Sequence, residues 1–441
     1  MIVLKFGGSS LATPDKIRCC AEIVKSALSK KPVVVVSAHG KTTDMLIKCA
    51  KRALEGEVDA GDFRSYHFSL IDSLGIDATR LGNLVFHPEA ICQGIRLVGE
   101  LTARTLDLVM SFGERISSRI FAAVLCNMGV PAEAVNSFDI GFITDSNFGN
   151  ASPLEGIEEE IARNIESMDR IPVITGFLGK NSKDKITTIG RSGSDFTASF
   201  IGAAIKAEEV QIWKDVDGVL TANPTLDPRA QKLPKLSFNE ASELAYYGAE
   251  VLHPATLIPA IRKNIPVRVA NTVKPDEPGT IIYPHSVLTN RIAKSVVYKR
   301  GVGLLNIVSL RLLPVTSLLS AVLEVLTKQN IRPHMVVTSE SSISIVTDSD
   351  YSEKDISEVK KQLSQHAEIT YEHNSAIVCV IGEELKENSE SLGMIFSAIS
   401  KENVQPLLVS QSASKLNISL IVKNTEIEKT VKAVHSLIIN S

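Results

Sequence analysis

Apolar residues follow two rhythms along the first 283 positions. Short, nearly unbroken apolar runs read as strands of a buried parallel sheet: Ile2–Phe6 and Pro32–Val36 foremost, then 131–135, 172–175, 210–213, 266–269 and 279–282. Between them the spacing is helical. Ile17, Ile23, Val24 and Leu28 stripe a helix over 16–30, a second starts near Met45, a third runs from Ser111 through Ala122, Ala123 and Leu125, and an Ala-rich one covers 197–207. Residues 55–105 look helical and polar, a peripheral insert. Ser237-x-x-Glu240 is a capping box for a helix to about Gly248, and His253-Pro254 starts the next. Strand, polar loop and helix in repetition predict a βαβ sheet whose loops gather at one edge.

Past residue 283 the rhythm changes and the sequence repeats itself. Lys328-Gln329-Asn330-Ile331-Arg332-Pro333 returns 73 residues later as Lys401-Glu402-Asn403-Val404-Gln405-Pro406. The helix before it returns too, with Val322, Leu323, Val325 and Leu326 falling on Ile395, Phe396, Ala398 and Ile399. Each copy reads strand, helix, strand, strand, helix, the last helix capped by Ser352-x-x-Asp355 or Thr425-x-x-Glu428, which predicts two ferredoxin-like βαββαβ units. The expected division is an α/β domain over 1–283, a linker or shared strand over 284–302, and repeats over 303–372 and 373–441.

Composition narrows the class. A chain of 441 residues suggests two or three domains, and a net charge of -3 gives no electrostatic reason for a nucleic-acid or anionic-membrane partner. Six cysteines without C-x-x-C spacing predict free thiols in a reducing cytoplasm, and nine histidines include no i, i+4 pair for a metal. The opening apolar run is broken by Lys5 and does not read as a secretion signal. The apolar stretch 303–326 contains Arg311, Pro314 and Glu324, so it is not expected to span a membrane.

Three polar turns are expected at one sheet edge: Lys5 to Ser10, Ser37 to Thr43, and Gly190 to Asp195. With the helix start at Ser111 they offer Lys5 and Arg191 as cations, Gly7, Gly8 and Gly193 as sites of close backbone approach, and Glu114 and Asp195 as acids. That set suits phosphoryl transfer, in which positioning and charge neutralisation do most of the chemistry. Neither G-x-x-x-x-G-K-[ST] nor a G-x-G-x-x-G after the first strand is present, so a nucleotide would be held some other way. An ordinary βα turn accounts for Gly7-Gly8 equally well. Glu114 and Thr43 also suit plain helix-start roles, Trp213 suits the core, and His253 suits a helix start.

Taken in order, Lys5-Phe6-Gly7-Gly8-Ser9-Ser10, Ser111-Phe112-Gly113-Glu114, Gly190-Arg191-Ser192-Gly193-Ser194-Asp195, Trp213-Lys214-Asp215-Val216-Asp217-Gly218 and Val251-Leu252-His253-Pro254 resemble the aspartate kinases of the amino acid kinase family. The two repeats resemble the tandem ACT domains that follow the kinase domain there, and the resemblance covers nearly the whole chain. It implies an αβα sandwich with a mainly parallel sheet plus two ACT domains. It also implies transfer of phosphate from ATP, carrying Mg²⁺, to the side-chain carboxylate of L-aspartate, the entry to lysine, threonine and methionine synthesis. By this resemblance Lys5 and Asp195 are catalytic. Arg191, Glu114, Thr43, Ser194 and Ser37 hold aspartate, while Lys5, Gly7, Gly8, Ser9, Lys214, Asp215, Asp217, Gly218, Leu220 and Arg229 hold the nucleotide. No protein-held metal is implied. Many relatives have Asp-Pro-Arg where this chain has Asn223-Pro224-Thr225, with Arg229 or Lys232 as substitutes, and Glu250 stands where a Lys is frequent. An amino-acid effector, lysine first, is implied at Leu312, Val315, Leu318, Leu319, Val337, Thr338, Ser339 and Glu340, where His334 replaces an acid of some lysine-sensitive relatives. A homodimer or dimer of dimers through the ACT domains is implied as well, and no dehydrogenase fusion is expected after the second repeat. The alternatives are a kinase acting on glutamate or a nucleoside monophosphate, and a non-catalytic amino-acid sensor.

Overall fold

The computed structural model describes residues 1–440 apart from 249–252, 311–313, 350, 352 and 388. The chain forms two compact units, one of residues 1–219, 234–241 and 251–286, the other of 220–233, 242–250 and 287–441.

In the first unit the chain runs β1 (Ile2–Phe6), α1 (Pro14–Ser26), β2 (Pro32–Val36), α2 (Thr42–Leu54), α3 (Gly61–Leu74), α4 (His87–Val98), α5 (Ala103–Met110) and α6 (Phe112–Asn127). It continues through β3 (Ala132–Val135), β4 (Ile143–Thr144), α7 (Glu158–Glu166), β5 (Ile171–Thr175), β6 (Leu178–Asn181), β7 (Ile186–Thr188), α8 (Gly193–Ala204) and β8 (Glu209–Lys214). After the 220–233 segment come β9 (Lys235–Ser237), α9 (Phe238–Tyr246, whose residues from Ser242 onward belong to the second unit), α10 (Pro254–Arg262), β10 (Val267–Asn271) and β11 (Thr280–Tyr283). Eight strands form one sheet in the order β3-β5-β2-β1-β8-β10-β11-β9, parallel except where β10 meets β11. Every residue of β1 and β2 is buried, which is why their sequences run apolar without alternation.

Several boundaries differ from the sequence reading. Helix α1 stops at Ser26 and passes into a 3-10 turn over Leu28–Lys30, α2 begins at Thr42 and not near Met45, and α8 begins at Gly193. The insert is helical as expected, but its inner face is not peripheral: Phe63, Leu70, Ile71, Cys92 and Ile95 share one apolar core with Leu4, Phe6 and Val34. The small sheet β4-β6-β7 went unpredicted. The capping box holds, since Ser237 N–H donates to Glu240 Oε2 at 2.8 Å and Glu240 N–H to Ser237 Oγ at 3.1 Å.

The second unit carries the repeats as β12 (Ser295–Ser309), α11 (Val315–Lys328), β13 (Pro333–Thr338), β14 (Ser342–Asp348) and α12 (Glu353–Leu363), then β15 (Ala367–Ile381), α13 (Glu384–Glu387), α14 (Glu390–Lys401), β16 (Leu408–Gln411), β17 (Asn417–Lys423) and α15 (Ile427–Asn440). One six-stranded sheet, β13-β14-β12-β15-β17-β16, holds both copies. The long strands β12 and β15 run antiparallel, so Ser295 to Lys299 complete the half-sheet built on β17 while Val302 to Ser309 begin the half-sheet built on β14. Each of these two long strands therefore serves both half-sheets. Of the two expected caps, Ser352 lies outside the described residues, and Thr425 sits inside a 3-10 turn (Asn424–Glu426) before α15.

Candidate active site

Lys5 lies on the central strand of the first unit, between Val35 of β2 and Ile212 of β8. Leu4 and Phe6 point into the main apolar core, so alternation along the strand sends Lys5 to the opposite face. There its Nζ meets Asp195 Oδ1 at 2.5 Å, and both side chains are almost fully buried. Asp195 stands in the first turn of α8, where an acid suits the helix dipole, and its other oxygen lies 3.2 Å from the Nζ of Lys214 at the end of β8. A single carboxylate thus bridges two lysines from adjacent strands.

Burial pulls the Lys5 ammonium below its ordinary range against the opposing pull of Asp195. For Asp195, burial pushes upward, but Lys5 and Lys214 outweigh it and hold the carboxyl below the usual carboxylate range. Glu114 behaves in the reverse way. It sits in the first turn of α6, accepts the Ala38 N–H at 3.1 Å through Oε1, and leaves Oε2 buried without a partner among the described residues. Burial lifts it to about 8, with the Ala38 N–H and the Lys5 charge opposing the rise. It is a poised acid beside a fixed ion pair.

Close backbone packing keeps these groups together. A Cβ on Gly8 would lie 2.8 Å from the Ala38 carbonyl oxygen, and a Cβ on Gly176 would lie 2.5 Å from the Cβ of Ser194. Both positions require glycine for contact distance alone. The Gly7 N–H donates to Trp213 O at 3.2 Å, Ser37 N–H to Phe6 O at 3.1 Å and Gly40 N–H to Gly8 O at 2.9 Å, so the first, second and eighth strands share one set of turns. Trp213 itself is buried in the core, and His253 caps α10 through its Nδ1, which accepts the Ala255 N–H at 3.3 Å.

The amino acid kinase family model matches residues 1–271, and an ACT domain model matches 378–437. Aspartokinase 1, chloroplastic, of Arabidopsis thaliana is 38% identical, over 98% of this chain and 79% of its own length. Lysine-sensitive aspartokinase 3 of Escherichia coli is 30% identical, over 99% of this chain and 98% of its own. The protein belongs to the aspartokinases. The crystal structure of E. coli aspartokinase III in complex with aspartate and ADP superimposes with a TM-score of 0.78 at 26% identity, covering 100% of both chains.

In this aspartokinase the remaining expected site residues divide by place. Arg191 is exposed on the turn before α8, next to Ser192 with its φ of 56°, while Ser194 is buried within the helix start. Thr43 is the second residue of α2 and not its cap, for which the sequence also allowed; Thr42 Oγ1 instead donates to His39 O at 2.6 Å. Ser37 is half-buried at the end of β2, and Ser9 is exposed, its carbonyl accepting from Lys16 Nζ at 3.0 Å. On the expected nucleotide side, Asp215 is exposed, Asp217 accepts from Asn271 Nδ2 at 2.5 Å and Lys274 Nζ at 2.8 Å, and Gly218 has a φ of 116°. Leu220 and Arg229 belong to the second unit, where Arg229 grips Asp227 with Nε at 2.9 Å and Nη2 at 2.7 Å. Glu250, Val251 and Leu252 lie outside the described residues.

Of the expected effector residues, Leu312 lies outside the described residues. Val315, Leu318 and Leu319 stand on α11, Val337 and Thr338 on β13, and Ser339 and Glu340 on the turn that follows, closed by Ser339 N–H donating to Ser342 O at 2.8 Å. His334 Nε2 lies 2.7 Å from Asp348 Oδ1, and Lys299 Nζ lies 2.9 Å from the same oxygen. Lys299 and His334 thus share one carboxylate oxygen.

Sequence reasoning missed Asp107. Fully buried on α5, it accepts Thr188 N–H at 2.9 Å, Thr188 Oγ1 at 2.8 Å and Gly149 N–H at 2.9 Å. It pins the strand that leads to Gly190 and Arg191. The visible signal was a carboxylate set among Leu106, Leu108 and Val109.

Proposed function

We infer that the protein transfers the γ-phosphoryl group of ATP to the side-chain carboxylate of L-aspartate. A carboxylate oxygen attacks the γ-phosphorus, the bond from phosphorus to the β-phosphate's bridging oxygen breaks, and ADP leaves with that electron pair. The product is an acyl phosphate. Because the attacking carboxylate is ionised at neutral pH, no general base is needed, and the enzyme's task is to bring two anions together. The observation that carries this reading is the buried Lys5–Asp195–Lys214 bridge. It presents fixed cationic charge beside glycine turns, with little reorganisation at the moment of reaction.

Lys5 is assigned to the transferring phosphoryl group, with Asp195 orienting it. Arg191 is assigned to the aspartate α-carboxylate, a planar fork meeting a planar acceptor, and Glu114 to the α-ammonium, with Thr43, Ser194 and Ser37 as hydrogen-bonding partners. Gly7, Gly8, Ser9, Lys214, Asp215, Asp217, Gly218, Leu220 and Arg229 are assigned to the nucleotide. Among the described residues no group of three or more His, Cys, Asp or Glu could hold a metal, and Asp195 is already engaged by two lysines. Magnesium is assigned to the ATP substrate, where it neutralises phosphate charge.

The ACT unit is assigned to feedback by an amino acid, lysine first, on the strength of the E. coli relative described as lysine-sensitive. Titration with lysine, threonine and methionine tests this, and a flat response to all three overturns it. Assembly is assigned to a homodimer or dimer of dimers through the same unit, without nucleic-acid or membrane partners. Among the described residues no helix is long and apolar enough to cross a membrane, and six unbonded cysteines suit a reducing cytoplasm.

ADP formation assayed with aspartate, glutamate and a nucleoside monophosphate decides the substrate. Aspartate-dependent turnover is expected, and Lys5→Ala is expected to lower kcat by ~10²–10³-fold, the range for losing one preorganised charge donor. Turnover with glutamate or the nucleotide in place of aspartate sinks the assignment.

A further inference from the structure

Cys49 on α2 and Cys92 on α4 bring their sulfurs to 3.1 Å from separate helices. The other buried or half-buried thiols meet oxygen instead: Cys20 the Ser10 carbonyl at 3.3 Å, Cys126 the Ala132 carbonyl at 3.4 Å, and Cys379 the Ser419 hydroxyl at 3.5 Å. Cys19 is exposed. Among the described residues only Cys49 and Cys92 have each other. A cavity of about 200 Å³ reaches Cys49, lined also by Lys41, Lys48, Arg52, Asp59 and Phe63, so a small oxidant has a path to one member of a pair that is otherwise buried.

We propose that Cys49 and Cys92 are a reversible oxidation site, closed to an intramolecular disulfide by a hydroperoxide that enters through this cavity. The Cys49 sulfur attacks the peroxide oxygen, the O–O bond breaks, and one water leaves as a sulfenic acid forms. The Cys92 sulfur then attacks the Cys49 sulfur, the S–OH bond breaks, and the thiol proton departs with the hydroxyl as a second water. Two thiols and one hydrogen peroxide give one disulfide and two waters. Closing from 3.1 Å to the ~2.05 Å of a sulfur–sulfur bond asks for about 1 Å of approach between two packed helices. The contact also sorts the roles, because hydrogen bonding from Cys92 holds the Cys49 thiol below its ordinary range, while the same contact, with burial, pushes Cys92 up.

The cross-link would tie α2, which begins with Thr42 and Thr43, to α4 across 43 residues of sequence. The test treats reduced full-length protein with graded hydrogen peroxide, alkylates the remaining thiols and maps the peptides, with Cys19→Ser removing the exposed thiol as a competitor. The expected result in Cys19→Ser is a Cys49–Cys92 peptide two hydrogens lighter, three of its five thiols left, and full return with dithiothreitol. Cys92→Ala is expected to leave Cys49 as a sulfenic acid that dimedone traps. The proposal is overturned if Cys49 and Cys92 stay alkylatable after Cys19 is consumed, or if either passes to sulfinic acid while the other remains free.

Discussion

Two buried carboxylates in the first unit take opposite protonation behaviour from their surroundings alone. Asp195 lies between two ammonium groups and stays ionised, whereas Glu114 has one N–H donor, an unpartnered oxygen and a value near 8. The sign follows from linkage. A carboxyl raised in the folded state gives its full stability below the unfolded value of 4.5 and loses it as pH rises through about 8. Glu114→Gln should therefore flatten the decline in stability between pH 5 and 9 that the wild type shows, read by thermal melts across that range. If Glu114 takes the aspartate ammonium, the wild-type KM for aspartate should fall as pH rises through 8. In the glutamine variant it should be raised ~10–100-fold, the range for a lost charge-assisted hydrogen bond, and lose that pH trend. A variant with wild-type KM and an unchanged profile removes Glu114 from substrate binding.

Among the elements, the repeated Asn-x-x-Pro signature has a physical cause. Asn330 and Asn403 have φ of 54° and 55°, immediately past the ends of α11 and α14. Each helix closes in the same way: Ile331 N–H donates to Leu326 O at 2.8 Å and Val404 N–H to Ile399 O at 3.1 Å, the reach-back of a Schellman motif. Asparagine tolerates the left-handed conformation that other side chains resist by roughly 1–2 kcal/mol. Asn403→Ala should lower stability by about 1 kcal/mol in denaturant melts, with Asn403→Gly neutral, and an alanine variant as stable as the wild type would remove this cause. Such local rules made much of the fold readable: buried runs for β1 and β2, the capping box at Ser237, and the duplication. Elements decided by distant packing were not readable. Strands β4, β6 and β7 are two to four residues long and pair only through the chain's return, and the apolar face of the insert is diluted by polar residues on its outer side. In the site, the turns displayed Lys5 and Asp195, and the helix start at Ser111 displayed Glu114. Asp107 stands among apolar neighbours, but nothing near it names the Thr188 and Gly149 groups it holds, and nothing local announces that Asp227 and Arg229 will meet His435 and Ser436.

For the molecule as a whole, the decisive feature is that the chain changes unit at 219/220, 233/234, 241/242, 250/251 and 286/287. The segment 220–233, early in sequence, is built into the second unit by polar bonds to its last helix. His435 Nδ1 lies 2.8 Å from Asp227 Oδ2, its Nε2 lies 2.8 Å from Thr221 Oγ1, and Arg229 Nη2 donates to Ser436 Oγ at 2.9 Å. Ala222 joins the core that includes Val378, Leu420 and Val434. Arg229, with His435 added, holds Asp227 well below the usual carboxylate range, so this contribution is present at neutral pH and lost as acid titrates the aspartate below about pH 4. Asp227→Asn should lower stability at pH 7 and shrink the wild-type loss on acidification. A cut at 286/287, the last of these crossings and three residues past the boundary expected from the sequence, leaves 220–233 on the wrong fragment, with Asp227 and Ala222 stripped of His435 and their core. The fragment 287–441 is left with a buried His435 facing no acid. Both fragments should melt below the full chain or fail to stay soluble, and co-expression of the two should restore the full-chain melting profile. Fragments that each melt as high as the intact protein would mean that 220–233 contributes nothing to the second unit's stability.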